Sequence, residues 1–295
     1  MLAKTAMVPV FPTLAGRTSI VSHMETMNET FDFPDPIDPA ALVAQTGLAT
    51  FEHHATIGST MERARELASL PACPLPAAVV ADLQTLGRGQ RGARWWQAPG
   101  SLAVSVVVDA SAPSQASPPA VWSLACGVAL AESLAVLVPM IEPLLRWPND
   151  VEVNGRKLAG ILVETTPGGR AIFGIGVNTT GSSHEVPPPL DKKIVTLPDL
   201  TGSILPRESL LAEFLPRLFL LLAATADDPE AFVPRYRARC GLDGQPVTVF
   251  SGDERLTGIC RGIAADGTLV LDTPGGRLHV TSGSLTHPAD VWRGD

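Results

Sequence analysis

Between Leu144 and Asn178 the chain reads as four strands in quick succession: Leu144 to Trp147, Val151 to Val153, Leu158 to Glu164 and Ala171 to Val177. Two of the joints carry the dipeptides Asn154-Gly155 and Gly168-Gly169. Such pairs supply the positive backbone φ of a two-residue hairpin turn, so the strands they join are expected to lie antiparallel.

Ala77 to Ala81 is a run of small and branched apolar residues, and Ser101 to Val108 places Leu102, Val104, Val106 and Val108 at alternate positions. Both are expected as strands, as is Ala49 to His54. Helices are expected from Pro39 to Gln45, stopped by Gly47, and from Met61 to Ser69, with Ser59 or Thr60 as a capping hydroxyl. Ala120 to Leu137 is almost wholly small and apolar, which fits a helix buried on most of its surface. Arg207 to Ala226 is a helical pattern expected to break or kink at Pro216.

From Gln245 the texture changes. Short strands, Val247 to Phe250, Leu256 to Ile263, Thr268 to Asp272 and Arg277 to Thr281, are separated by turn residues at the spacing of a small all-β barrel. The chain is therefore expected to divide into a flexible leader (1–38), interrupted by Pro9, Pro12, Pro34 and Pro36, a main domain (39–244) and a small β domain (245–295). The prolines of residues 1–50 leave no room for the helices of a helix-turn-helix.

Hydrophobic residues at 45% and charged residues at 18% leave ample apolar material for a core. A formal net charge of -8 excludes a general nucleic-acid binder, whose affinity comes from clustered Lys and Arg. The longest apolar stretch, Leu124 to Leu145, contains Glu132, Pro139 and Glu142, so no membrane span is expected. Pro9 and Pro12 interrupt what would be the apolar region of a signal peptide. Cys73, Cys126, Cys240 and Cys260 form no CxxC pair, as expected of reduced thiols in a cytoplasmic protein.

Two segments carry chemistry. Gly87 to Trp95 holds three glycines and three arginines after a strand. Glycines let backbone N–H groups approach an anion, and arginines add forked donors that match phosphate oxygens. The same glycines satisfy GxGxxG, but that fingerprint opens a helix, whereas Trp96 to Gly100 leads into another strand. The second segment runs from Arg146-Trp147-Pro148-Asn149-Asp150 to Gly155 through Glu164, where Lys157 stands at the mouth of a run expected to be buried. A lysine so placed can hold a carboxylate and stabilise charge that develops on it.

Taken in order, GRGQRGARW, RWPND, GRKLAGILVE and GIGVN (Gly174 to Asn178) resemble the catalytic domain of the biotin protein ligases. The resemblance runs from about Ser59 to Asn178, and the terminal β segment is similar to the small SH3-like domain that follows in that family. It implies an α+β catalytic domain with a central mixed sheet, a glycine-arginine loop closing over the ligands, and an SH3-like barrel after it. It also implies ATP-dependent activation of biotin to biotinyl-5'-AMP, with Mg2+ on the phosphates. The biotinyl group then passes to a lysine of a biotin carboxyl carrier domain. A monomer or homodimer is implied, without nucleic-acid or membrane partners. By position, Ser59, Thr60, Gln84, Arg88, Gly89, Gln90 and Lys157 would hold biotin, and Arg91, Trp95, Asn149, Asp150 and Asn178 would lie on the nucleotide side. Asp150 is the candidate metal ligand, and Lys157, Arg88 and Arg91 supply the catalytic charge.

The chain departs from the family pattern at Gln90 and Ala93, where arginine is usual, and at Met61, where asparagine follows Ser-Thr. A lipoate or octanoate transferase relative shares the fold but generally lacks the loop and the WPND and KLAGIL elements. A degenerate adenylate-binding module is the reading that Gln90 and Ala93 leave open.

Overall fold

The computed structural model describes residues 35–110 and 119–286. Seven strands form one mixed sheet: β1 (Thr50–Ile57), β2 (Ala77–Gln84), β3 (Leu102–Asp109), β4 (Leu144–Arg146), β5 (Asp150–Val153), β6 (Arg156–Thr165) and β7 (Arg170–Val177), in the order β1-β2-β3-β7-β6-β5-β4. β1 and β2 are parallel, and every other pair is antiparallel. A parallel pair needs a crossover, and α2 (Thr60–Ser69) supplies it. Asn154 and Gly155, at φ 53° and 69°, close the β5-β6 hairpin as their sequence led us to expect.

Side chains alternate across the sheet, which gives it two different faces. Val104, Val106 and Val108 of β3 and Phe173, Ile175 and Val177 of β7 point into the main core with α3 (Pro119–Leu137) and α5 (Arg207–Asp227). On the opposite face Val107 and Ile172 meet Met61, Ala64 and Leu67 of α2. Both α3 and α5 are long and apolar enough to cross a bilayer by length and composition. Every residue of α3 from Val121 to Ala131 is buried in the core, which accounts for its hydropathy. α5 runs unbroken through Pro216, so the break weighed for that position does not occur. The buried face of Leu210, Leu211, Phe214, Leu215 and Leu218 outweighs the one backbone hydrogen bond that proline removes.

Three short helices complete the main body: α1 (Pro39–Thr46), α4 (Leu197–Thr201) and α6 (Pro229–Arg237). A second sheet follows, with β8 (Pro246–Ser251), β9 (Glu254–Ile263), β10 (Leu269–Thr273), β11 (Gly276–Val280) and β12 (Ser284–Leu285) in the order β11-β10-β9-β8-β12. The barrel expected there is an open sheet among the described residues. β12 is two residues long and pairs with β8, so it does not reach β11 to close the ring.

The leader expected over residues 1–38 is too long. Asp35 and Ile37 are buried, and Asp38 caps α1 by accepting from the N–H groups of Ala40 and Ala41. Residues 1–34 lie outside the described residues. Asp35 is fixed by Arg207, whose side chain is only 1% exposed. The Arg207 N–H and Nε both donate to Asp35 Oδ2 at 2.9 Å, and Nη1 donates to Asp82 Oδ1 at 2.5 Å. His53 Nε2 reaches the same Asp82 oxygen at 2.8 Å. This cluster, buried except for His53, joins β1, β2, α5 and the segment ahead of α1.

Candidate active site

The site begins with glycines. On β7, Gly174 lies opposite Ser105 and Leu162, and Gly176 lies opposite Ala103 and Gly160. Alternation puts these residues on the α2 face, so the row of Ala103, Gly176 and Gly160 is almost bare of side chains and Gly174 opens a gap between Ser105 and Leu162 in the next row. Neighbouring groups sit directly on that floor. A Cβ at Gly174 would meet Met61 Sδ at 2.6 Å, one at Gly160 would meet Lys157 Nζ at 2.9 Å, and one at Gly176 would collide with the Trp95 indole.

Above the floor is a cavity rimmed by Ser59, Thr60, Met61, Gln84 and Arg88. Its polar groups are held by one another. Gln84 Oε1 accepts from Thr60 N–H at 2.9 Å and from Thr60 Oγ1 at 3.1 Å, and Ser105 Oγ donates to Thr60 Oγ1 at 2.8 Å. Gln97 Oε1 in turn accepts from the Gln84 N–H at 3.1 Å. Ser59 occupies the N-cap of α2 and is buried, but its hydroxyl makes no capping bond, so the capping expected of it is absent.

The glycine-arginine segment folds back on itself. Gly89 N–H donates to Ala93 O at 2.7 Å around a 3-10 turn at Gln90–Gly92, and Arg88 bridges to Arg94. Gly92 takes φ 75°, a conformation that favours glycine. No helix follows, and the chain passes into β3, which removes the dinucleotide reading of GxGxxG. Arg88 Nη2 is 2.6 Å from Glu62 Oε1 of α2 at the cavity mouth. The Arg91 side chain lies outside the described residues.

A second cavity adjoins the first and shares Gly89, Gln90, Trp95, Asn149 and Lys157 with it. Arg94, Trp147, Asp150, Asn178, Leu190 and Ile194 extend its wall, and the C-terminal sheet adds Gly283, Ser284 and Leu285. Lys157 stands at the junction: Nζ is 2.6 Å from Asp150 Oδ1 and 5.6 Å from the centre of the Trp95 ring. Trp95, expected on the nucleotide side, therefore belongs to both cavities.

Lys157 is fixed from behind. Its N–H donates to Lys193 O at 2.8 Å and its carbonyl accepts from Val195 N–H at 3.0 Å. Asn178 is buried, and its Nδ2 donates to Val195 O at 3.0 Å and to Lys157 O at 3.4 Å. It lines the second cavity, but its amide N–H groups brace the lysine's strand. Asn149 Nδ2 likewise donates to Ile161 O at 2.9 Å.

Glu152 lies next to this group. Burial pushes its carboxyl up from the ordinary range, and the Arg146 guanidinium at 3.6 Å pulls against that. Across the second cavity, Asp199 anchors the segment that carries Leu190 and Ile194. Burial raises its carboxyl, but donors from Ser183, Ser182 and Thr196 outweigh this and hold it at about 2. A carboxyl lowered by folding stabilises above its ordinary value of 3.8 and loses that contribution as pH falls through about 2. Asp199→Asn should therefore flatten the loss of stability between those pH values. Acid titration of unfolding in both proteins checks this, and parallel curves would exclude the anchor.

Among the described residues no three His, Cys, Asp or Glu side chains cluster as a metal cage. Gly160, Gly174 and Gly176 were missed as site residues, although paired glycines at i and i+2 in an apolar strand mark a bare patch. Nothing local could have signalled Gly283 to Leu285, which arrive from the other end of the chain.

The profile of the Biotin/lipoate A/B protein ligase family matches residues 54–179, and that of the Biotin protein ligase C terminal domain matches residues 244–285. The chain is 32% identical over 252 residues to the biotin--[acetyl-CoA-carboxylase] ligase of Mycobacterium tuberculosis, covering 83% of this chain and 88% of that protein. It is 32% identical over 229 residues to the enzyme of the same name from Paracoccus denitrificans, covering 74% and 92%. Among solved structures, the biotin protein ligase from Aquifex aeolicus in complex with biotin and ATP superposes with a TM-score of 0.71 at 26% identity, over 81% of this chain and 98% of that one. The chain belongs to the biotin protein ligase family.

Proposed function

We propose that the chain joins biotin to ATP, giving biotinyl-5'-AMP and pyrophosphate, and passes the biotinyl group to a lysine of a carboxylase's biotin carrier domain. The observation that carries this reading is the pair of cavities meeting at Lys157. The glycine-floored cavity suits a flat bicyclic ring, with Ser59, Thr60 and Gln84 offering the donors and acceptors that a ureido group requires. The ring's carboxylate tail then points to Lys157, and the second cavity takes the nucleotide.

In the first step a carboxylate oxygen bonds to the α-phosphorus and the bond to pyrophosphate breaks. Two anions must approach, and Lys157 with Arg88 lowers their repulsion in a site partly closed to water. In the second step the carrier amine bonds to the acyl carbon, AMP leaves and the amine gives up a proton. Asp150 fits the role of a magnesium ligand: its buried Oδ1 has the Lys157 ammonium at 2.6 Å and no donor in hydrogen-bonding geometry. Magnesium commonly binds through one or two carboxylates plus substrate phosphates, and it neutralises phosphate charge. Within this reading residues 39–244 act as the catalytic part and 245–295 as the small β domain.

The test is pyrophosphate release by the purified chain with ATP, Mg2+ and either biotin or lipoate, followed by label transfer to a carrier domain. Release with lipoate and not with biotin would overturn the assignment of substrate, and no release with either would overturn the activity.

Gln90 touches both cavities where related loops carry arginine. A neutral amide hydrogen-bonds to an anion without the charge-assisted part, so Gln90→Arg should slow adenylate dissociation by roughly tenfold. Off-rates from single-turnover complexes measure this. An unchanged rate would mean that position 90 does not contact the intermediate.

A further inference from the structure

We infer that Arg146 is a positioning residue for the nucleotide side of the reaction, acting by holding the C-terminal segment from Gly283 to Thr286 as a wall of the second cavity. The inference rests on the reading of that cavity as the nucleotide site.

The segment is weakly held by its own sheet. The segment pairs with β8 at Ser284 opposite Phe250 and Leu285 opposite Val249, with Thr286 N–H donating to Thr248 O at 3.2 Å beyond them, and it sits at the sheet edge. A two-residue edge strand has few ladder bonds to keep it in register. Gly283 lets it approach closely, since a Cβ there would run into the Val249 side chain and lie 2.9 Å from Phe250 O.

What fixes the other side is Arg146. It ends β4, one residue before Trp147, and its side chain is 11% exposed. Nη2 donates to Thr286 O at 2.6 Å across 140 residues of sequence. Nε faces Glu152 Oε1 at 3.6 Å, which sets the guanidinium's orientation. The adjoining Trp147 adds a second tie, with Nε1 donating to Gly267 O at 3.1 Å. The hydrogen bond to a carbonyl is charge-assisted and mostly shielded from water, the setting in which such bonds are strongest.

The consequence is selective. Arg146 lines the second cavity together with Gly283, Ser284 and Leu285, and none of the four lines the first. Loss of the tie should therefore weaken nucleotide binding and spare biotin binding. A merely structural arginine would, on removal, lower the active fraction, so that apparent kcat falls and neither KM moves.

The experiment uses the full chain and measures pyrophosphate release against ATP and biotin concentration separately, for Arg146→Met, Arg146→Lys and Leu285→Ala. Arg146→Met should raise the KM for ATP about tenfold or more, the loss of one charge-assisted hydrogen bond. The KM for biotin and kcat at saturating ATP should stay within about twofold. Arg146→Lys should recover part of the ATP effect. Leu285→Ala should shift the KM for ATP in the same direction, and its combination with Arg146→Met should give less than the product of the two, because both act through one segment. An unchanged KM for ATP, an equal rise in both KM values, or a strictly multiplicative double variant would overturn the proposal. If Arg146→Met does not fold, the lysine and Leu285→Ala variants decide it by the same split. A wild-type chain that releases no pyrophosphate defeats the functional reading, and this inference with it. An active wild type with an unmoved KM for ATP in the variants defeats the inference alone.

Discussion

Lys157→Ala is expected to abolish nearly all pyrophosphate release while the protein remains folded. The side chain is 28% exposed and stands beside Gly160 where the two cavities meet, whereas Arg88, the other described cation lining the first cavity, is already engaged by Glu62. Removing one preorganised group that stabilises transition-state charge typically costs about 10² to 10³ in kcat. The fold should survive because Lys157 is held in the sheet through its backbone, by Lys193 and Val195, and because the Asn154-Gly155 turn is untouched. Single-turnover adenylation and thermal melting separate the two effects. A folded variant that still adenylates within tenfold of wild type would rule out the lysine as the charge that joins the substrates.

The largest effect on stability is expected from Arg207→Met. Asp35 and Asp82 would keep their buried carboxylates, each 8% exposed, with His53 the nearest remaining partner of Asp82. Removing one partner of a buried ion cluster costs about 3 to 5 kcal/mol, since a charge is left in a medium that cannot solvate it. Replacing the acids as well, with Asp35→Asn and Asp82→Asn, should recover much of that loss, which simple loss of packing would not allow. A chain beginning at Pro39 should be less stable than one beginning at Asp35, because it loses both the Asp35 carboxylate and the Asp38 cap. Urea unfolding measures all of these, and a loss below about 1 kcal/mol for Arg207→Met would show that the cluster is solvated after all.

The sequence made the local pieces legible where one period or one turn dominated. The Asn154-Gly155 hairpin, the alternation of Leu102 to Val108 and the apolar helix after Pro119 follow from residue spacing alone, and each is found in the structure. What could not be read is what depends on distant partners. Pro216 announces a broken helix, but packing against α3 keeps α5 continuous. Asp35 looks like part of a proline-rich leader until Arg207, 172 residues on, is seen to hold it. Spacing could not show that Asn178 braces Lys157 rather than simply facing a ligand, because its amide turns back to backbone carbonyls. The open C-terminal sheet has the same origin, since strand spacing counts strands but does not fix where the last one pairs.

The wall of five residues common to both cavities makes them behave toward ligands as the two arms of one divalent receptor. A molecule that spans them gives up its translational and rotational freedom once and collects both sets of contacts, so it is held far more tightly than either half alone. In the proposed reading, whichever half arrives first meets Gln90, Trp95 and Lys157, which the second half also contacts. On these terms the proposed intermediate is expected to be the tightest-bound species on the path, with time for a protein lysine to reach it.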